Sequence, residues 1–168
     1  MTKLAKSLNR LGTETAFSVL AEAKKLEAAG KPMIHLGLGQ PDFKTPKHIV
    51  DAAKKALDDG HHGYVLSNGI LECRQSVTRK IKKLYNQDID PERIIIMPGG
   101  KPTMSYAIQC FGEPGVEIIH PTPAFPIYES MINFTGSTAV PYDLTEDKDL
   151  KFNPEKVLSL ITDKTRLL

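Results

Sequence analysis

The residues of this sequence whose types and order are suited to chemistry are Pro98-Gly99-Gly100-Lys101-Pro102, which follow the β-branched run Ile94-Ile95-Ile96-Met97 and precede Thr103 and Met104. Two adjacent glycines permit a tight turn and a close approach of bare backbone to a ligand, and Pro102 is expected as a first helical residue, where a missing N–H is tolerated. Met104, Ala107, Ile108 and Phe111 then recur at i, i+3, i+4 and i+7, with Gly112 placed for a left-handed stop. The unit reads as a buried strand, a Gly-rich turn and a helix start. Unpaired N–H groups and the positive end of the helix dipole point out of such a start, and the guest they favour is a phosphate.

The turn by itself does not name the phosphate compound. A Walker A loop requires glycine at position 95 and Ser or Thr at 102, where this chain has Ile95 and Pro102. A dinucleotide fingerprint requires three spaced glycines after a first strand, and only two adjacent ones are present. An ordinary strand-to-helix turn, with glycines for geometry alone, stands beside phosphate binding as the other reading. Other chemistry-bearing residues offer less. His61 and His62 are adjacent, so they face opposite ways in an extended chain, and no carboxylate or cysteine pattern accompanies them. Cys73 and Cys110 are too few and too far apart for a disulfide framework or a zinc site, and read as small core hydrophobes in a reducing compartment.

The elements that must position the turn follow from periodicity and punctuation. Residues 1–12 are polar, with Lys3, Lys6 and Arg10, and read as an arm of the kind that reaches a partner subunit. A helix is expected from a capping Thr13, with Phe17, Val19, Leu20, Ala23 and Leu26 on its apolar side and Gly30 as its stop. Thr45-Pro46 opens a second helix as N-cap and first residue, with Ile49, Ala52, Ala53, Ala56 and Leu57 apolar and Gly60 as the stop. A third runs from Ile70 to about Tyr85, burying Ile70, Cys73, Val77, Ile81 and Leu84 while Arg74, Arg79, Lys80, Lys82 and Lys83 occupy the surface. Beyond Gly112 come a strand over Val116–His120, a loop at Pro121-Thr122-Pro123, a helix from Phe125 to Phe134, a stop at Gly136 and a strand over Ser137–Val140. Asn153-Pro154 begins a last helix, and a final strand starts near Lys164. Strands alternating with helices predict an α/β layered fold.

Composition bounds the function. The 168 residues are 40% hydrophobic and 25% charged, and the net charge of +2 is spread along the chain. That is the balance of a globular domain, with no basic tail or stripe to recruit nucleic acid and no apolar run of membrane-spanning length. With no secretory h-region at the N-terminus, the expected address is the cytoplasm.

Three stretches carry a resemblance. Leu36-Gly37-Leu38-Gly39-Gln40-Pro41-Asp42-Phe43-Lys44-Thr45-Pro46 resembles the G-x-G-E-P-D-F-x-T-P signature of class I pyridoxal-phosphate aminotransferases, the aspartate and aromatic group. Tyr64 followed by Gly69, Leu71, Glu72 and Arg74 is similar to that family's Y-x-x-x-x-G-x-x-x-L-R segment. Gly99-Gly100-Lys101, Glu113-Pro114-Gly115-Val116 and Pro123-Ala124-Phe125 resemble its phosphate turn, strand entry and cofactor platform, in order and spacing. Gln40 in place of glutamate, Cys73 in place of leucine, Leu71 in place of a frequent proline and Pro102 in place of glutamine are departures, and none removes a reacting group.

The resemblance implies the first half of a fold type I large domain, an incomplete three-layer α/β structure, preceded by a helix belonging to a small domain. The divisions expected are an arm over 1–12, the helix and substrate loop over 13–45, and the cofactor-binding domain over 46–168, which breaks off within a strand. It implies pyridoxal 5'-phosphate as cofactor, with the phosphate on the backbone of Gly99, Gly100 and Lys101, the ring of Phe125 stacked on the pyridine, and Tyr64 reaching the phosphate of a neighbouring subunit. Leu38 and Gly39 are expected at the substrate, Gly39 offering its backbone to the α-carboxylate.

It further implies amino-group transfer from an amino acid to a 2-oxo acid in a homodimer. The family's cofactor-binding lysine, its aspartate at the pyridine nitrogen and its carboxylate-binding arginine all come later than these matches, so no catalytic residue is expected in this chain and it is expected to be inactive alone. Lys101 directs its backbone, not its amine, at the phosphate. The other expectation is a non-catalytic assembly or binding subunit, completed by a separate C-terminal chain that pairs with the apolar strand ending at Leu168.

Overall fold

The computed structural model describes residues 3–12, 16–37, 39–145 and 150–168, and among these the side chains of Ala16 and Phe17 lie outside the description. The chain divides into two compact units, Met1–Leu38 with Gly99–Leu168, and Gly39–Pro98.

The first unit is built on three parallel strands in the order β2-β1-β3: β1 is Glu117–Thr122, β2 is Thr138–Asp143 and β3 is Thr165–Leu167. β1 is central, and its consecutive residues Ile118 and Ile119 are both apolar and buried, as a strand covered on both faces requires. Ile118 packs with Val116 against Ile108 of α4 (Gly100–Phe111) and Ile132 of α5 (Ile127–Thr135). Its neighbour Ile119 points the other way, against Tyr142 and Val157 of α6 (Pro154–Leu158). Alternation along one strand thus fills two cores, and helices cover both faces of the sheet. The unit also holds α1, Ala16–Ala28, which closes at Gly30 with φ +82°. Its expected cap, Thr13, lies outside the described residues.

Several local expectations change. Gly112 is not a left-handed stop: its φ is −92° and ψ 128°. It is glycine because an added Cβ would sit 2.7 Å from the Ile108 carbonyl oxygen and 2.7 Å from Thr135 Oγ1. β1 extends through Pro121 and Thr122, expected as loop, because Tyr142 and Asp143 pair with them and the Leu144 N–H donates to the Thr122 carbonyl at 2.8 Å. β2 likewise runs on to Asp143. α5 starts at Ile127 after Pro126 as cap, so Phe125 stays in the preceding loop. Nor is the N-terminal segment an unpacked arm. Lys6–Arg10 forms a 3₁₀ turn on α5, where Arg10 donates to the carbonyls of Asn133 (2.8 Å) and Phe134 (2.6 Å). Those carbonyls lie in the last turn of a helix, where the one of Asn133 accepts the Gly136 N–H at 3.0 Å and still has a lone pair for a guanidinium.

The second unit contains α2, Lys47–Asp58, and α3, Leu71–Tyr85, followed by a 3₁₀ turn at Pro91–Arg93. Pro46, not Thr45, holds the cap position of α2, and no residue of that helix is buried. α3 inverts one expectation: Arg74 is 2% exposed, while Ile70 and Leu84, expected inside, are about half exposed at 49% and 55%. The run Ile94–Met97, expected as a buried strand, pairs in no ladder among the described residues, and Ile95 is 64% exposed. Its interstrand-like tie is the Ile96 N–H to the Asn68 carbonyl at 3.1 Å; β-branched residues make a strand only where a neighbouring backbone supplies the ladder.

Candidate cofactor-binding site

The turn at Gly99-Gly100-Lys101 is a helix start, as expected. Gly99 caps α4 with φ +97° and ψ 169°, a conformation open essentially to glycine alone. A Cβ there would meet nothing within 4 Å, so the requirement is conformational rather than steric. Gly100 and Lys101 are the first two helical residues and Pro102 the third, two positions further in than the first-residue place expected for it. All three fall in the turn whose N–H groups lack carbonyl partners, so Gly100 and Lys101 present donors and Pro102 forfeits none that the helix needs. The Thr103 hydroxyl donates back to the Gly99 carbonyl at 3.2 Å, which fixes the turn from inside.

Phe125 is held close to this start. It follows the cis Thr122–Pro123 bond in the loop after β1, and the residue is 37% exposed. The Lys101 ammonium lies 5.3 Å from the ring centroid, so the helix start and the aromatic loop share one location. The loop encloses a pocket of about 250 Å³ lined by His120, Thr122, Phe125 and Glu129 among others. His120 did not emerge from the sequence. It is 9% exposed, its Nδ1 is 3.1 Å from the Pro121 carbonyl oxygen, and it follows Ile118 and Ile119 into the carboxyl half of a parallel strand, the end at which α/β sheets place ligands.

The remaining expected residues belong to the other unit or lie outside the description. Tyr64 is fully exposed in the loop after α2, and Gly39 lies in the extended segment before it with open space around its Cα. Leu38 lies outside the described residues. The Gly99–Lys101 backbone with the Phe125 ring face is a fit for a phosphorylated planar heterocycle: donors and positive charge at one end, a π-face at the other. Among the described residues no group of three or more His, Cys, Asp or Glu side chains is arranged to hold a metal, and no helix is long and apolar enough to cross a membrane.

Comparison with known proteins bears on this site. Residues 31–168 match the family model for aminotransferase class I and II. The chain is 36% identical over 166 residues to an aspartate aminotransferase of Bacillus subtilis, covering 99% of this chain and 42% of that one. It is also 36% identical over 165 residues to a (5-formylfuran-3-yl)methyl phosphate transaminase of Methanocaldococcus jannaschii, covering 98% and 42%. Among solved structures, the aspartate aminotransferase of Thermus thermophilus with maleate superposes with a TM-score of 0.90 at 30% identity, covering 99% of this chain and 44% of that one. The chain therefore spans about 42% of the length of the curated relatives it matches. Its sheet and flanking helices are part of a fold type I α/β domain, and the chain belongs to the aminotransferase class I and II family.

Proposed function

We propose that this chain forms the phosphate cradle and part of the substrate loop of a pyridoxal-phosphate-dependent amino-acid aminotransferase, which moves an amino group from an amino acid to a 2-oxo acid. The observation that carries the reading is the convergence of the Gly99-capped helix start and the Phe125 ring, bridged by Lys101 at 5.3 Å. When bound, pyridoxal phosphate supplies a conjugated electron sink for the electron pair released from the substrate's Cα–H bond.

The chain's own residues bind and orient. The N–H groups of Gly100 and Lys101 donate to phosphate oxygens, and the positive end of α4 favours that dianion. Phe125 covers one face of the ring and limits its tilt. Tyr64 provides a phenolic hydrogen bond to a phosphate in a second subunit, and Gly39, next to Leu38, provides backbone to the substrate carboxylate. Residues 13–45 carry the small-domain helix and substrate loop, and 46–168 the cradle. The proton-transferring lysine comes from outside these 168 residues, so the chain alone binds but does not turn over. The two family relatives differ in substrate, one aspartate and one a furanylmethyl phosphate, and the donor amino acid is left unassigned.

To test this, the purified chain is mixed with pyridoxal phosphate, an amino acid and a 2-oxo acid, and new oxo acid is assayed. The expected result is cofactor binding without turnover. Turnover by the chain alone overturns the assignment of the lysine to another segment. Absence of binding, with a folded chain, favours the reading as an assembly subunit whose sheet is completed at β3 by another chain.

A further inference from the structure

Outside the phosphate turn, one buried charged group in the Gly39–Pro98 unit has no part in the reading above. Arg74 sits in the first turn of α3 with its side chain 2% exposed. A guanidinium withdrawn from water is tolerated only when its donors are met, and here three bonds meet those of Nε and Nη1. Nε donates to the Gly69 carbonyl at 3.1 Å, and Nη1 donates to the Pro91 carbonyl at 3.0 Å and to Glu92 Oε1 at 2.7 Å. Glu92 is itself 67% exposed, so the pair extends from the interior to solvent.

Two of these acceptors are backbone atoms of separate turns. Gly69, with φ +95°, closes the turn whose N–H donates to the Leu66 carbonyl at 2.9 Å. Pro91 and Glu92 form the 3₁₀ turn capped by Asp90, whose Oδ1 accepts the Glu92 N–H at 2.9 Å. The run that follows is tied to the first turn twice. The Ile96 N–H donates to the Asn68 carbonyl at 3.1 Å, and Ile96 Cγ1 lies 2.8 Å from where a Cβ on Gly69 would be. One planar, forked donor therefore holds both turns, and with them the register of Ile94–Met97, the run that leads covalently into Gly99.

We propose that Arg74 is a positioning residue for the phosphate turn: it fixes the run that delivers Gly99 by pinning the Gly69 and Pro91–Glu92 turns to each other. The inference rests on the reading of Gly99–Lys101 as a phosphate cradle. It predicts that loss of the fork loosens residues 94–97 before it loosens the helices.

The test uses Arg74→Lys, Glu92→Gln and, as a control on the exposed face of α3, Arg79→Lys. Amide hydrogen exchange at Ile96 is followed against amides of α2, alongside the affinity for pyridoxamine 5'-phosphate. A single ammonium cannot reach both turns, so Arg74→Lys should speed exchange at Ile96 and weaken the ligand by about tenfold, the worth of one charged hydrogen bond, with α2 protection unchanged. Glu92→Gln should shift both in the same direction by less, and Arg79→Lys by nothing.

Unchanged Ile96 protection and affinity in Arg74→Lys overturn the proposal. So does an equal loss of protection in α2 and at Ile96, which marks a general structural role. Should Arg74→Lys not fold, Glu92→Gln decides by the same two readouts. If the unsubstituted chain binds no ligand, the cradle reading fails while Ile96 exchange still judges the clamp.

Discussion

The Lys101 ammonium lies 5.3 Å from the centroid of the Phe125 ring, which ties the first turn of α4 to the loop that leaves β1. Both segments emerge beside the central strand, α4 through Ile108 packed on Ile118 and the loop directly from Thr122. The core that holds β1 thereby also fixes the separation of the Gly99–Lys101 backbone and the Phe125 ring. Rigid elements position such sites better than loops do.

Gly99 is required for its backbone angles, with φ +97° and ψ 169°. Gly99→Ala should destabilise the chain by about 1–3 kcal/mol, the usual cost of forcing a side chain into that region. Gly100, inside the helix with Met104 Cε 3.7 Å from an added Cβ, should accept alanine with no loss or a gain of up to about 1 kcal/mol. Urea unfolding of the two variants separates these outcomes.

Phe125 is more than one-third exposed, so its ring contributes little to folding and is free to take a ligand face. Phe125→Leu should leave thermal stability nearly unchanged and weaken pyridoxamine 5'-phosphate by about two- to tenfold, the range of one aromatic contact. Phe125→Tyr should retain affinity. Fluorescence titration checks both, and an equal affinity for the leucine variant would reassign Phe125 to packing.

Gly112 stands where α4 turns into the approach to β1, and its Cα faces the Ile108 carbonyl and the Thr135 hydroxyl. Thr135 Oγ1 already donates to Ile132 at 2.7 Å and lies 3.0 Å from Ser137 Oγ, so neither neighbour moves freely. Gly112→Ala should cost about 1–3 kcal/mol through overpacking, read as a lower denaturant midpoint with an unchanged slope.

Local signals read from the sequence hold where one residue decides the geometry. Gly30 and Gly136 end helices in the left-handed region, with φ of +82° and +87°, and Asn153 caps α6 by accepting the Lys156 N–H at 3.1 Å. The α/β alternation and the glycine turn before α4 were likewise legible, because apolar periodicity and paired glycines are local facts. What was not legible depends on partners distant in the chain. Ile94–Met97 has strand composition but no ladder, Arg74 looks like a surface cation yet is held by residues 69 and 91, and Arg10 finds carbonyls more than 120 residues away. His120 was missed because a single histidine within a strand carries no spacing to read. Tyr64 and Gly39 were singled out by motif alone, and both lie in the Gly39–Pro98 unit.

The central claim is that the Gly99–Lys101 turn recognises a phosphate, and it is tested most directly by comparing two ligands that differ only there. Pyridoxamine 5'-phosphate and pyridoxamine both lack the aldehyde that would react with surface lysines, and each is titrated into the chain by isothermal calorimetry. The account predicts that the phosphorylated ligand binds more tightly by about a hundredfold, as two charge-assisted N–H bonds would give, and that Gly99→Ala removes most of that preference. Equal affinities for the two ligands would contradict it.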